Sequence, residues 1–522
     1  MWRRNYLWIF LPIACGWFAH SLNAQAPSPD PRHVVVVVWD GMRPDMMTEK
    51  NCPVLWRLAQ EGVFFRNHHA VYPTATNVNG TALVTGFYPA RSGIIANHEY
   101  RPAIDWRGVV DVSEAAVVRK GDEAAAGKYL AVPTIAELVR AAGGRTVTAS
   151  AKTIGLLLDR HLDAARDKGS AALFSGAMQS PENLAAIVSQ LGPFPRLSFA
   201  EKDLWTTKAL TEIFWKENLP VFSLLWLSEP DGTQHEAAPG SPAALAAIKS
   251  SDDNLERVLH ALDRHKATPN TDVFVVSDHG FSTIGRSIDL RKILKDAGFD
   301  AVTQFATERK PGQIMLAGNG GTVFFYVIGH DGAVTARLVE FLQQADFTGV
   351  IFTRDKLPGT FGLDAANILD EQAPDVAMAF RWNENKNQFG LPGMIDADSQ
   401  RAAGNGTHVT LSKFDVHNTL IAVGPDFRRG ATDDLPSGNV DLVPTILRIL
   451  GITPPRPLEG RVLSEALNNM HNTAARAEVE TVEAKRELPA GTWRQSLRTS
   501  RIGGNVYLDQ GNGEYARREK QP

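Results

Sequence analysis

Residues able to ligate a metal stand where short apolar runs end. Asp40 follows His33–Trp39, Asp231 and His235 follow Val221–Leu227, Asp278 and His279 follow Val273–Val276, and His408 closes Gly404-Asn405-Gly406-Thr407-His408. Carboxylate oxygen and imidazole nitrogen suit zinc, and two such sets side by side suit a binuclear centre. Singly, each has an ordinary explanation: Asp-Gly is a turn signal, Asp278 could cap a helix, and Asp231 with His235 could be a surface pair. Convergence on one edge of a sheet is what would give them chemistry. A second group lies in Tyr72-Pro73-Thr74-Ala75-Thr76-Asn77-Val78-Asn79-Gly80, which runs on through Thr81 and Thr85 to Gly86. A threonine hydroxyl is a weak nucleophile near neutral pH and needs a base or a Lewis acid beside it. By composition alone Thr74, Thr76, Thr81 and Thr85 are all candidates, and helix capping is the competing use of such hydroxyls. His68 or His69 could support a ligand by hydrogen bonding, but loop or packing roles explain both adequately, and His417 reads as structural.

The elements that must position these residues follow from periodicity. His33–Trp39 is a continuous β-branched run, the pattern of a strand buried on both faces in a parallel sheet. With the strands at Val221–Leu227 and Val273–Val276 and helical stretches such as Ala243–Asp263 between them, it predicts an open α/β sheet. Such sheets take their ligands beyond the carboxyl ends of the strands, where the acidic residues stand. Residues 101–214 read as decoration on that sheet, with helices at Val132–Ala142 and Pro181–Gln190. Residues 293–404 read as an inserted α+β cap subdomain: Gly321–Ile328 strand, Ala333–Ala345 helix, Thr348–Thr353 strand. Thr419–Val423 and Val440–Leu450 resume the core, so the catalytic unit is expected over 33–292 and 405–467. Beyond it, 468–522 reads as a C-terminal extension in which Ala474–Glu487 forms an exposed helix ahead of a poorly anchored tail.

Residues 1–24 read as a signal peptide: Arg3 and Arg4 precede the apolar run Leu7–Ala19, and small residues offer a cut after Ala24 or Ala26. Pro12 and Gly16 interrupt that run, which argues against a membrane anchor. The protein is therefore expected to be exported, periplasmic or secreted, with no stable membrane span. Cys15 would leave with the signal, so Cys52 would remain unpaired and stability must come from the core. Lysine plus arginine total 54 against 58 aspartate plus glutamate, a net charge of −4. That balance gives no reason to expect a nucleic-acid scaffold, and nothing points to an obligate protein partner.

Taken together, Val34-Val35-Val36-Val37-Val38-Trp39-Asp40-Gly41-Met42-Arg43-Pro44-Asp45, the stretch from Pro73 to Gly93, Glu229-Pro230-Asp231-Gly232-Thr233-Gln234-His235, Val275-Val276-Ser277-Asp278-His279-Gly280, Gly406-Thr407-His408 and Asn439–Pro455 resemble the alkaline phosphatase superfamily, in its nucleotide pyrophosphatase/phosphodiesterase branch. The resemblance covers residues 33–100, 216–290 and 405–465. It implies a three-layer α/β/α sandwich with a mostly parallel central sheet and two divalent ions, most simply Zn2+. One ion would be held by Asp40, Asp278, His279 and Thr76, the last also the nucleophile. The other would be held by Asp231, His235 and His408. Asn79 matches an asparagine that helps hold a phosphoryl oxygen. The substrate implied is a small phosphate ester, cleaved at a phosphodiester or pyrophosphate bond through a phosphothreonine.

This chain departs from the family pattern at Ala75, Asn77, Val78 and Gly80 around the nucleophile and at Val409, where a glycine is usual. Those changes leave nucleotide specificity open. A phosphomonoesterase or phosphonate hydrolase on the same two metals is the alternative. A sulfatase lacks its formylglycine motif here, export argues against a mutase, and a non-catalytic metal-stabilised binding protein would be expected to have lost a ligand. Trp106, Trp205, Trp382 and Phe389 could stack on a base, with packing the competing role for each.

Overall fold

A computed structural model describes residues 32–163, 166–167, 169–178, 181–468, 470 and 476–518; the segment read as a signal peptide lies outside them. The central sheet has nine strands: β1 (His33–Trp39), β2 (Val63–Phe65), β3 (Thr146–Ser150), β4 (Ala171–Phe174), β5 (Ala177–Met178), β6 (Phe222–Leu227), β7 (Thr271–Val276), β8 (Leu420–Val423) and β9 (Ala431–Asp433), in the order β9-β2-β8-β7-β1-β6-β3-β4-β5. From β7 to β4 every neighbouring pair is parallel, and β8 and β5 run antiparallel to their inner neighbours.

The valine run explains its own position. Val34, Val36 and Val38 face one layer with Leu83, Val84, Ile446 and Leu447, while Val35, Val37 and Trp39 face the other with Ile248, Leu255 and Val258. Each such side chain contributes about 1.5–3 kcal/mol on burial. Helices α1 (Thr76–Thr85) and α4 (Leu442–Leu450) lie in the first layer and α3 (Pro242–Arg264) in the second, and the short α2 (Asp231–Ala237) follows β6. Helix α3 starts where Ser241 accepts from the Ala244 N–H and Pro242 takes the first turn. The expected α/β/α sandwich is the observed fold.

Two expectations about the elements need correction. The stretch read as decoration, 101–214, contributes β3, β4 and β5 to the central sheet. Its strands are short and mixed with alanine, serine and threonine, so they lack the apolar run that marks β1. The charged segment near 474–487 is no helix: Glu478–Leu488, Gly491–Ile502 and Asn505–Arg517 form a three-stranded antiparallel sheet. Alternation in the middle strand buries Trp493, Gln495 and Leu497. Gln495 exchanges hydrogen bonds with the Ile351 backbone, 2.7 and 3.0 Å, and Trp493 Nε1 donates to the Gly359 carbonyl at 3.0 Å. The tail is thereby anchored on the inserted segment. That segment builds a six-stranded sheet of its own, with the helix Gly332–Gln343, and the strand at Thr348–Thr353 falls where its sequence predicts. Among the described residues no helix is long and apolar enough to cross a membrane. Cys52 is buried and unpaired, and burial pushes its thiol up to about 12.

Candidate active site

The parallel strands deliver their acidic ends to one edge. Asp40 leaves β1, Asp231 opens α2 after β6, and Asp278 and His279 follow β7. Gly41 makes the first turn possible: its φ is +72° and a Cβ there would stand 3.0 Å from the Asp231 Cβ and from Phe281. Its N–H donates to Asp278 Oδ1 at 3.1 Å, which ties two of the strand ends together.

The imidazoles share one construction. Nδ1 of His235, His279 and His408 lies 3.0, 2.8 and 2.6 Å from the carbonyls of Gly406, Gly280 and Thr74 respectively. With the proton on Nδ1, the Nε2 lone pairs of His279 and His408 are free for a cation; Nδ1 of His235 differs in also meeting the Arg401 Nε donor at 2.9 Å. His279 Nε2 is 3.2 Å from Asp278 Oδ2 and 3.5 Å from Asp40 Oδ1, and His235 and His408 approach Asp231 Oδ1 at 3.2 and 3.6 Å. The facing oxygens, Asp40 Oδ1, Asp231 Oδ1 and Asp278 Oδ2, are buried without a hydrogen-bond donor. Burial raises Asp40 well above the carboxylate range, with the charges of Asp231 and Asp278 adding to it, and burial pushes Asp278 up to about 7. Burial would raise Asp231 too, but Lys152, His235 and His408 hold it well below that range. Buried, unpartnered carboxylate oxygens facing imidazole rings are a donor set for a divalent cation: Asp231, His235 and His408 form one group able to hold one, and Asp40, Asp231 and His279 form another that shares Asp231.

Helix α1 brings the hydroxyl. Thr81 and Thr85 donate to the carbonyls of Asn77 and Thr81 at 2.6 and 2.7 Å, and Thr74 donates to Thr410 O at 3.2 Å. The Thr76 hydroxyl instead lies 3.3 Å from His279 Nε2. The N-cap residue of the helix, Ala75, has no side chain that could accept, and the Asn77 N–H of the first turn is taken instead by Asn97 Oδ1 from outside the helix. Gly80, where the family pattern has a larger residue, lets α1 settle onto β6, because a Cβ would meet Ile154 and Trp226 at 3.0 Å. Trp226 Nε1 in turn donates to Asp40 Oδ2 at 2.9 Å.

Asn79 does not reach the site. Its Nδ2 donates to the carbonyls of Val71, Pro73 and Ala75, and its Oδ1 accepts from Val71 N and Asn439 Nδ2. The amide is fully spent on shaping the turn and cannot hold a phosphoryl oxygen. Asn97 has a donor to spare. It lines a cavity of about 80 Å3 together with His235, His408, Asp398 and Arg401, and its Oδ1 accepts from Asn77 N at 2.8 Å, which leaves Nδ2 without a protein acceptor among the described residues. Lys152 also went unread in the sequence. Its Nζ lies 2.8 Å from both Asp40 Oδ2 and Asp231 Oδ2. Its signal was its place just beyond β3, at the same strand-end edge as the ligands. None of Trp106, Trp205, Trp382 and Phe389 lines this cavity; Trp205 and Trp382 are core residues.

The family of type I phosphodiesterases and nucleotide pyrophosphatases matches residues 34–384. This chain belongs to that family. Human ectonucleotide pyrophosphatase/phosphodiesterase family member 5 is 21% identical over 439 residues, 81% of this chain and 76% of that protein. Human family member 1 and the venom phosphodiesterase of Macrovipera lebetinus are 23% and 24% identical over 246 and 252 residues, about half of this chain; the matches span only 23% and 24% of those longer proteins. Among solved structures, murine ectonucleotide pyrophosphatase/phosphodiesterase 5, in an inactive threonine-to-alanine form in complex with AMP, superposes with a TM-score of 0.58 at 17% identity, covering 84% of this chain and 100% of that one. The human protein gives 0.59 at 18%, with the same coverage. These likenesses carry the type I phosphodiesterase fold. His408 lies beyond the matched residues, yet its ring stacks on His279 with centroids 3.6 Å apart.

Proposed function

We propose that this type I phosphodiesterase family member hydrolyses phosphodiester or pyrophosphate bonds of small nucleotide-like substrates, with Thr76 as nucleophile and two divalent ions, zinc by the nature of their ligands. The observation that carries the reading is the Thr76 hydroxyl, 3.3 Å from His279 Nε2, while its neighbouring threonines are tied to carbonyls. Support for the reaction class comes from relatives named for nucleotide pyrophosphatase and phosphodiesterase activity, one of them solved with AMP in an inactive threonine-to-alanine form.

Asp40, Asp278, His279 and Thr76 would hold one ion and Asp231, His235 and His408 the other. Bound there, the ions supply Lewis-acid polarisation and neutralise charge at the phosphoryl group. Thr76 Oγ1 attacks phosphorus in line, the P–O bond to the leaving group breaks, and water then hydrolyses the phosphothreonine and restores the hydroxyl. Asn97 Nδ2 and the Val78 N–H at the start of α1 donate to the non-bridging oxygens, a preorganised electrostatic role, while the Asn77 N–H holds Asn97 in place. The carbonyls of Gly280 and Thr74 fix the tautomers that keep Nε2 of His279 and His408 free, and Arg401 and the Gly406 carbonyl orient the His235 ring.

One observation favours a second reading. Lys152 adds a fixed cation at the centre, which would suit the extra charge of a phosphate monoester. Assaying zinc-loaded protein on matched nitrophenyl phosphate monoester, nucleotide diester, phosphonate and sulfate substrates separates the two. The first reading predicts the highest kcat/KM on the diester, and a preference for the monoester would replace it with the second. Export is part of the same proposal, motivated by residues 1–24. N-terminal sequencing of the exported protein should begin close to Gln25, and a full-length cytoplasmic product would oppose it.

A further inference from the structure

His69, His417 and Asp509 take no part in the chemistry above, yet they meet just ahead of the nucleophile turn. His69 lies on the short strand His68–His69, His417 follows the helix Lys413–Val416, and Asp509 belongs to the last strand of the C-terminal sheet. One ligand atom from each lies within 4.8 Å of the other two. His69 Nδ1 is 2.8 Å from the Ser437 carbonyl, and its Nε2 is 2.8 Å from Asp509 Oδ1. Both ring nitrogens therefore face acceptors. A neutral ring donating from Nδ1 would set its Nε2 lone pair against a carboxylate, so a cation, either a proton or a metal, must stand between them.

His417 decides between these. Its ring centroid is 4.5 Å from that of His69, and the ring is half-buried. One of its ring nitrogens is within 4.8 Å of the His69 and Asp509 ligand atoms, so a neutral His417 has a lone pair to offer there. A proton shared by His69 and Asp509 gives that lone pair nothing, whereas a metal ion engages all three groups. The surroundings match the active-site construction: Nδ1 anchored on a backbone carbonyl, Nε2 turned to a carboxylate, and the other oxygen of that carboxylate held in turn, here by Ser500 Oγ at 3.0 Å and Arg498 Nε at 3.5 Å, which leaves Oδ1 to the site.

We propose that His69, His417 and Asp509 bind a third divalent ion of the zinc class, which fastens the C-terminal sheet to the catalytic core. Zinc distances of about 2.0–2.2 Å would open the His69–Asp509 separation to about 3.3 Å, and water would complete a tetrahedron. Because the ligands come from three distant parts of the chain, the site forms only on folding, and binding there adds to stability.

The test loads the full-length protein with Zn2+, removes loose metal by desalting, and compares metal per chain with thermal midpoint. The expected result is one ion fewer in His417→Ala than in the wild type, with turnover retained and a smaller rise in midpoint on adding zinc. Retained turnover shows that the variant has folded. A chain carrying His279→Ala and His408→Ala, which disable the catalytic set, should still hold one ion, and His417→Ala added to it should hold none. Equal metal content in the wild type and His417→Ala, or no ion in the catalytic double variant, overturns the proposal. Since the readout is a difference of one ion, it holds whatever the catalytic centre binds.

Discussion

Thr76 differs from its neighbours in what its hydroxyl meets, and Asn97 differs from Asn79 in the same way. The Asn79 amide is consumed by the turn, while Nδ2 of Asn97 is free beside His235 and His408. Asn97→Ala should therefore lower kcat by about 10²–10³-fold, the usual loss of one donor to a developing charge, with a smaller fall in unfolding midpoint than Asn79→Ala because only the Asn77 N–H loses its acceptor. Asn79→Ala should show itself first in thermal unfolding, because it leaves buried carbonyls unpaired. A larger kcat loss from Asn79→Ala at unchanged stability would reverse the assignment. Val409, beside His408, carries a second residue-scale prediction. Its φ is +81°, a strained value for a β-branched residue, and its side chain is buried. Val409→Ala loses packing and keeps the strain, whereas Val409→Gly loses packing and relieves it. Chemical denaturation should find the glycine variant the more stable by about 1 kcal/mol.

At the scale of elements, what could be read in the sequence was whatever a local pattern could carry. The valine run announced β1 because a strand buried on both faces has no polar positions, and the strand ends then located Asp40, Asp231 and Asp278 on one edge. The C-terminal sheet was not legible from Glu478–Glu487, since glutamate, alanine and lysine favour helix locally and pairing with the next strand overrides them. Its clue lay further on, in the alternation of Trp493, Gln495 and Leu497. Asn97 and Lys152 were missed because a single polar residue after an apolar stretch says nothing until the strand beside it is placed. Matching by spacing chose Asn79 for the same reason: spacing does not show which partners a side chain already has. The sheet is a stability element, so Trp493→Ala, at a fully buried ring, should cost about 3–5 kcal/mol in denaturant unfolding. A loss below about 1 kcal/mol would mean that the extension is dispensable.

Across the whole molecule, the centre concentrates negative charge that the fold alone does not neutralise. Asp278 is raised to about 7 by burial, so without metal the folded chain binds its proton more tightly than the unfolded chain does. That contribution is complete below about pH 4 and is lost as pH rises through about 7. A bound cation takes the place of the proton. The gap in thermal midpoint between metal-loaded and chelated protein should therefore widen from about pH 5 to about pH 8, and a constant gap would place the cation elsewhere. The assembled centre has to couple metal to a nucleophile, and one comparison tests that coupling most directly: hydrolysis of a nucleotide diester by zinc-loaded wild type and Thr76→Ala, with metal content measured on the same samples. Turnover in Thr76→Ala should fall by at least about 10³-fold while the metal stays bound. Turnover within about tenfold of wild type, at equal metal content, would contradict the assignment of Thr76 and the reaction built on it.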